Sequence, residues 1–541
     1  MKLIDDLIQR KEYVSALKKS KKLFKDRSLQ GPALQRALHC AEMLGDTKET
    51  FSLYKKGMTL FPNNDDFLQN YARFCFTQKR LKESLTLYSK ILKRHPSDGI
   101  TLTNIAACYL HMNDMEKAET YVQKALQTQN PQSNTYDILG TIFLVRKKTK
   151  EAGDMFLKAL NNFEPSIHSA FNYLQYCETH NQLNSYETTY AALPDAIKHA
   201  PSIMLQMAIL YTRHQKYPEA EEAFVKALTQ RENLDLQKQK KAFFEYGKLL
   251  DKTGNYHKAL TCFTSGNEVA QYLDQNKSED SVFDLINLQD NLEVQGEDHS
   301  NNIVFVLGFP RTGTTLIDQI LSVCSAVQTF EETPAINTLF TASIKKNKAG
   351  KILNRTELQQ QFLDYYRTYF DWDENKILID RSAPNITYYR FIQSVFPNAK
   401  IILLHRHPCD VVFSCFMQDF TINNLTREFY SLAKTVKLYN RTMLTLEENQ
   451  NTFNLKYENL ISDFEKKTKE LYTFLGLEWS EDVKRFYETA LNKDAIRTAS
   501  YSQVTHPIYN TAVNRWKHYE DQFTALMPQL EPWIQKFGYE Q

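Results

Sequence analysis

Residues Ile303-Val304-Phe305-Val306-Leu307-Gly308-Phe309-Pro310-Arg311-Thr312-Gly313-Thr314-Thr315 set the architecture of the second half of this chain. The first five form an apolar, β-branched run bounded by polar residues, the pattern of a strand buried on both faces of a parallel sheet. Leu316, Ile317, Ile320 and Leu321 then recur at helical spacing. A strand, a glycine turn and a helix start in succession make an anion cradle. Successive backbone N–H groups and the positive end of the helix dipole point into the loop. Working outward, Lys400-Ile401-Ile402-Leu403-Leu404 reads as a second buried strand, ending at His405-Arg406-His407-Pro408. Pro408 then sits near the first turn of a helix over 409–418. Ile377-Leu378-Ile379-Asp380 and Leu455-Lys456-Tyr457 close two further short strands. Strands alternating with helices predict an α/β fold: a parallel sheet covered on both faces, with ligands at the carboxyl ends of its strands.

Gly308 and Gly313 are spaced like the two glycines of the nucleotide-binding loop Gly-x4-Gly-Lys-Ser/Thr. Thr314 stands where that loop has lysine, and Arg311 supplies the cation instead. A nucleoside triphosphatase needs the lysine on its terminal phosphates, so this exchange opposes ATP chemistry. Asp380, a carboxylate at a strand end, is the feature that favours it, since such residues hold magnesium in triphosphatases. The flanking histidines His405 and His407 have no third ligand at a suitable spacing and read as local polar residues.

The segment from Pro310 to Leu316 resembles the 5′-phosphosulfate loop of sulfotransferases, in the form seen in protein-tyrosine sulfotransferases. That resemblance implies 3′-phosphoadenosine 5′-phosphosulfate (PAPS) as co-substrate, with no metal required. It implies that Arg311, Thr312, Gly313, Thr314 and Thr315 meet the 5′ end of the nucleotide. Arg406 and Ser414 match the family's 3′-phosphate site, Ser500 its nucleotide-closing loop, Arg515 a basic residue before Trp516, and Tyr457 a nucleotide-contacting tyrosine. Glu332, 21 residues after Arg311 in Glu331-Glu332-Thr333-Pro334, matches the catalytic base, with Glu331 as runner-up. Arg381 occupies the place of a lysine that touches the leaving phosphosulfate, and the proline after it has slipped one place to Pro384.

The first half of the chain is periodic. Pro62, Pro96, Pro131 and Pro165 are separated by 34, 35 and 34 residues, and Pro201 follows 36 later. Small residues recur in register: Ala72, Ala106, Gly140, Ala208 and Gly247, then Ser84, Ala118, Ala152, Ala220 and Ala259 twelve positions on. Only small side chains let two antiparallel helices cross closely, and proline stops the second helix of each pair. The pattern resembles the tetratricopeptide repeat (TPR), over 67–96, 101–131, 135–165, 203–231 and 242–268. The stretch 33–62 fits less well, with Leu38 and Thr50 at its small positions, 166–201 is degenerate, and 1–27 reads as a capping helix pair. The expected organisation is therefore an all-α TPR solenoid over 1–268, a linker over 269–300 with a helix near 282–292, and a P-loop-like parallel α/β sulfotransferase domain over 301–541. A repeat array joined to such a domain looks like the bacterial TPR sulfotransferases. The groove of the repeats either scaffolds the enzyme or holds a peptide or protein acceptor through residues such as Asn70, Asn104 and Asn172.

Composition sets the outer limits. With 66 basic and 64 acidic residues the net charge is +2, so no whole-chain field argues for nucleic acid or membrane. The 8 cysteines include no Cys-x-x-Cys pair and read as free thiols of a reducing compartment. The first residues lack the apolar run of a signal peptide, so the expected location is cytoplasmic. The activity expected is transfer of a sulfuryl group to an acceptor hydroxyl, a tyrosine included. The alternatives are a P-loop phosphotransferase or NTPase, and a repeat-based interaction protein whose nucleotide-binding domain is inactive.

Overall fold

The computed structural model describes residues 1–180, 185–274, 281–300, 302–348, 352–447, 449–491 and 512–540. The chain divides into two compact units, Met1–Lys198 and His199–Gln541. An N-terminal helical-repeat region precedes a C-terminal α/β region with a parallel sheet. Among the described residues, no helix is long and apolar enough to cross a membrane.

In the first unit the repeats are antiparallel helix pairs, such as Asp65–Thr77 with Leu81–Arg94 and Gly99–His111 with Met115–Leu126. The small positions do the packing expected of them. Ala72, Ala106 and Ala118 are wholly buried, and the Ser84 hydroxyl donates to the Ala72 carbonyl at 2.8 Å. At Gly140 a Cβ would lie 2.9 Å from the Phe156 ring, so a side chain there would push the helices apart. The hairpin turns share one backbone device. Lys79, Asn113 and Lys147 adopt φ of 59–61°, the left-handed helix stop that glycine usually supplies and that Gly45 supplies at φ 67°. The degenerate stretch shows its irregularity: a full helix, Ile167–Thr179, is followed by the short helices Tyr186–Ala192 and Asp195–Lys198.

The second unit opens with two more helix pairs, Pro201–Arg213 with Tyr217–Thr229 and Leu236–Lys252 with Tyr256–Asp274. These share a hydrophobic core with the helix Pro408–Phe416 and the C-terminal helix Met527–Lys536. Polar contacts reinforce the junction. Asn267 Nδ2 donates to the Phe416 carbonyl at 2.8 Å, Lys240 pairs with Asp419 at 2.7 Å and Arg427 with Asp274 at 2.8 Å. The helix Val282–Leu288 follows within the stretch read as linker, burying Val282 and Ile286.

The strands are β1 (Val294–Gln295), β2 (Ile303–Gly308), β3 (Val327–Glu331), β4 (Leu353–Asn354), β5 (Ile377–Arg381), β6 (Lys400–His405) and β7 (Thr452–Lys456). β1 pairs with β4, while the other five form a parallel sheet in the order β3-β5-β2-β6-β7. All six residues of β2 are buried. Its side chains alternate, Ile303, Phe305 and Leu307 entering one core and Val304 and Val306 the core on the opposite face. The chain leaves β2 first toward β3 and later returns to β6 on β2's other side. The reversal makes the carboxyl end of β2 a topological switch point, the place where α/β sheets bind ligands.

Candidate active site

Register puts the site residues side by side. Glu331 of β3 pairs with Arg381 of β5, Arg381 pairs with Val306 of β2, and Gly308 pairs with Leu404 of β6. The carboxyl ends of five strands therefore carry Glu331 and Glu332, Arg381, the loop 308–313, Arg406 and Tyr457.

The loop is held in a costly conformation. Arg311 has φ 75° and Gly313 φ 105°, and the helix Thr314–Leu321 begins immediately after. A Cβ on Gly308 would stand 2.4 Å from the Thr312 hydroxyl, and one on Gly313 would stand 2.9 Å from the Tyr457 ring. Thr312 donates its hydroxyl to the Phe309 carbonyl at 2.8 Å, pinning the turn from within. Thr314 and Thr315 are buried at the helix start. Arg311 reaches across to the helix Pro408–Phe416 and donates Nε to Ser414 Oγ at 3.1 Å, so the two expected phosphate positions meet directly.

Arg406 is buried beneath this arrangement. One terminal nitrogen donates to the Arg311 carbonyl at 3.0 Å and the other to the Ala512 carbonyl at 2.5 Å. Its guanidinium lies 5.2 Å from the Tyr457 ring centroid, and its Nε has no hydrogen-bond partner among the described residues. Burial raises the Tyr457 phenol, with Arg406, Arg311 and Arg515 all near enough for their charges to oppose it. Arg515 lies in the helical turn Arg515–Gln522, and Ser500 lies outside the described residues. The two histidines have separate partners, His405 being the last residue of β6 and His407 lying beyond it. His405 Nε2 contacts Asn454 Oδ1 at 2.9 Å, whereas His407 stacks on Trp516 at 5.2 Å and is shifted toward its neutral form by burial.

Across β5 lies a pair of carboxylates with one guanidinium between them. Arg381 is wholly buried; it donates Nη1 to Glu332 Oε1 at 2.7 Å and forms an ion pair with Glu331. Glu332 sits in a turn of φ 51°, anchored by its own N–H on the Arg381 carbonyl at 2.9 Å. Burial raises the Glu332 carboxyl above the usual glutamate range, and Arg381 opposes the rise.

Asp380 faces the other way, into a closed polar network. Tyr366 donates to it at 2.7 Å, Asn385 at 3.0 Å and Thr333 at 3.4 Å, and burial pushes its carboxyl up to about 7. Among the described residues there is no group of three or more His, Cys, Asp or Glu side chains arranged to hold a metal ion.

Sequence reading did not find the residues that hold these parts in place. Asp410 takes the N–H groups of Asn514 and Trp516 at 2.8 and 2.9 Å, fixing the segment that carries Arg515. Glu458 takes the His407 N–H at 2.9 Å and the Tyr539 hydroxyl at 3.0 Å. Neither lies in a motif, and their partners are 51 to 106 residues distant, so no local pattern announces them.

Comparison with known proteins follows the same division. Residues 303–481 match the model of the sulfotransferase family. Over those residues the chain is similar to that family. Within the repeats, residues 69–178 match the model of the coatomer epsilon subunit. An uncharacterized protein of Aquifex aeolicus is 26% identical over 450 residues, covering 78% of this chain and 58% of its own length. Protein-tyrosine sulfotransferase 2 of Gallus gallus is 22% identical over 258 residues, covering 44% of this chain and 69% of its own. The solved sulfotransferase domain from the curacin biosynthetic pathway is 17% identical at a TM-score of 0.31, covering 45% of this chain and 99% of that domain. The chain thus spans under two thirds of the Aquifex relative. The sulfotransferase-family match begins at β2 and takes in the phosphate loop, Glu332, Arg381, Arg406, Ser414 and Tyr457. It ends before Arg515.

Proposed function

We propose that the chain is a PAPS-dependent sulfotransferase acting on an acceptor hydroxyl, a tyrosine of a peptide or protein being the acceptor class its relatives' names favour. The observation that carries this reading is the tie between Arg311 and Ser414 at the mouth of the glycine turn, with a glutamate of raised proton affinity at the end of a strand two places along the sheet. Glu332 takes the proton from the acceptor hydroxyl as that oxygen attacks sulfur. The S–O bond to the 5′-phosphate breaks, and the nucleotide leaves as 3′-phosphoadenosine 5′-phosphate. Arg311, the N–H groups of 312–315 and the hydroxyls of Thr314 and Thr315 meet the negative charge on the leaving oxygens. Arg381 orients Glu332 and adds its charge on that side. Arg406, Ser414, Tyr457, Ser500 and Arg515 hold the nucleotide, so catalysis is mainly positioning and electrostatics. The repeat groove presents the acceptor, and the chain works in the cytoplasm.

A phosphotransferase holding magnesium on Asp380 has little left to support it, because Tyr366, Asn385 and Thr333 already engage that carboxylate. The test is turnover with radiolabelled PAPS and tyrosine-containing peptides. Arg311→Ala should lower turnover about 10²–10³-fold while the protein still melts cooperatively. Wild-type turnover in that variant, or transfer from ATP in place of PAPS, overturns the reading.

A further inference from the structure

The segment 514–523 is gripped from two sides. The helix Pro408–Phe416 holds it through the Asp410 carboxylate, on the N–H groups of Asn514 and Trp516. The last repeat hairpin holds it as well. Tyr256 stacks on His518 at 4.1 Å with ring planes 9° apart, and Tyr519 donates its hydroxyl to Asp251 Oδ1 at 2.7 Å. The second oxygen of the same carboxylate lies 3.6 Å from Arg515 Nε, with the Asp251 side chain 8% exposed and that of Arg515 24%. At the other end of the guanidinium, Nη1 meets only the thioether of Met417 at 3.6 Å among the described residues, a weak acceptor. Arg515 is thus ion-paired at its inner nitrogen, while its terminal nitrogens meet no stronger acceptor than Met417 among the described residues. It also lies close enough to the Tyr457 phenol for its charge to act there, beside the ring that covers Gly313.

We infer that Asp251, a residue of the repeat hairpin, is a positioning residue for the nucleotide's 3′-phosphate: it anchors Arg515 by Nε and leaves the terminal nitrogens of the guanidinium for the phosphate. The inference rests on the proposed nucleotide role of Arg515. It makes the last repeat part of the nucleotide site, beyond the matched family segment. An arginine suits this task where a lysine does not, because only a fork can be held at one nitrogen and donate from the others.

The experiment measures, by calorimetry on the full chain, the affinities for adenosine 3′,5′-bisphosphate and for adenosine 5′-monophosphate, which lacks the 3′-phosphate. Their ratio is independent of the fraction of protein that is folded. Asp251→Asn keeps an acceptor for Tyr519 and removes the negative charge that faces Arg515. It should lower the ratio about tenfold with monophosphate binding unchanged, and Asp251→Glu should bring it back to within about threefold of wild type. In an Arg515→Gln background, Asp251→Asn should change nothing further. An unchanged ratio in Asp251→Asn, an equal loss of both nucleotides, or full additivity with Arg515→Gln would each refute the positioning role. Should Arg515→Gln itself leave the ratio at its wild-type value, the nucleotide reading of Arg515 fails and the inference fails with it.

Discussion

The loop 308–315 and the side-chain pocket proposed around Arg406 are the two halves of the proposed nucleotide site, yet they are made of different material. The loop is chiefly backbone: a left-handed glycine, a left-handed arginine and a helix start within eight consecutive residues. The pocket is side chain: Arg406 from the end of β6, Ser414 from the next helix and Arg515 from a segment about a hundred residues on. Each of its members is steered by a partner from elsewhere, through the Ala512 carbonyl, Arg311 and Asp251 respectively. A backbone-built site carries its geometry in its own dihedral angles, whereas a side-chain-built one borrows geometry from tertiary contacts.

The contrast can be broken most severely at its joint. Arg406 donates to the Arg311 carbonyl and so supports the loop as well as its own pocket. Arg406→Met should weaken both nucleotides, the bisphosphate by about a hundredfold, since two buried carbonyls lose a charged donor. Calorimetry that finds only the bisphosphate affected would show the two regions to be independent. Gly313→Ala comes next. A methyl facing Tyr457 at φ 105° should cost about 1–3 kcal/mol, read as an equal loss of both nucleotides and a lower melting temperature. Asp410→Asn removes one of two strong acceptors for the Arg515 segment. Its expected effect is about 1–2 kcal/mol, confined to the bisphosphate, and an equal loss of both nucleotides would contradict the contrast.

The carboxylates flanking Arg381 sharpen the picture through pH. Because burial raises Glu332, the acid limb of kcat/KM should lie above the ordinary glutamate range of about 4.3, and Glu332→Gln should cut turnover about 10²–10⁴-fold. Asp380 acts on stability instead. Its folded value of about 7 exceeds the unfolded one, so the folded state binds the extra proton, and stability is lost as pH rises between about 4 and 7. Asp380→Asn should flatten that decline in melts recorded from pH 4 to 8, and an unaltered slope would assign it to another group.

Much of this was legible in advance, for reasons that differ by region. The repeats declare themselves because helix crossings demand small residues at fixed intervals, and Ala72, Ala106 and Gly140 meet that demand. β2 and its loop declare themselves because a doubly buried strand must be apolar and a left-handed turn favours glycine. Arg381 was legible only as a charge. Its burial between Glu331 and Glu332 follows from β3 pairing with β5, which no local spacing reveals.

By itself, then, the order of residues determined the helix pairs, the parallel strands and the anion cradle, because those depend on interactions within a few turns of the chain. Tertiary structure alone decided which carboxylate stays enclosed and which faces the site, and brought Asp251 and Asp410 to the segment carrying Arg515. Such contacts join residues up to 268 positions apart, and they form only once the sheet and the last repeat have packed.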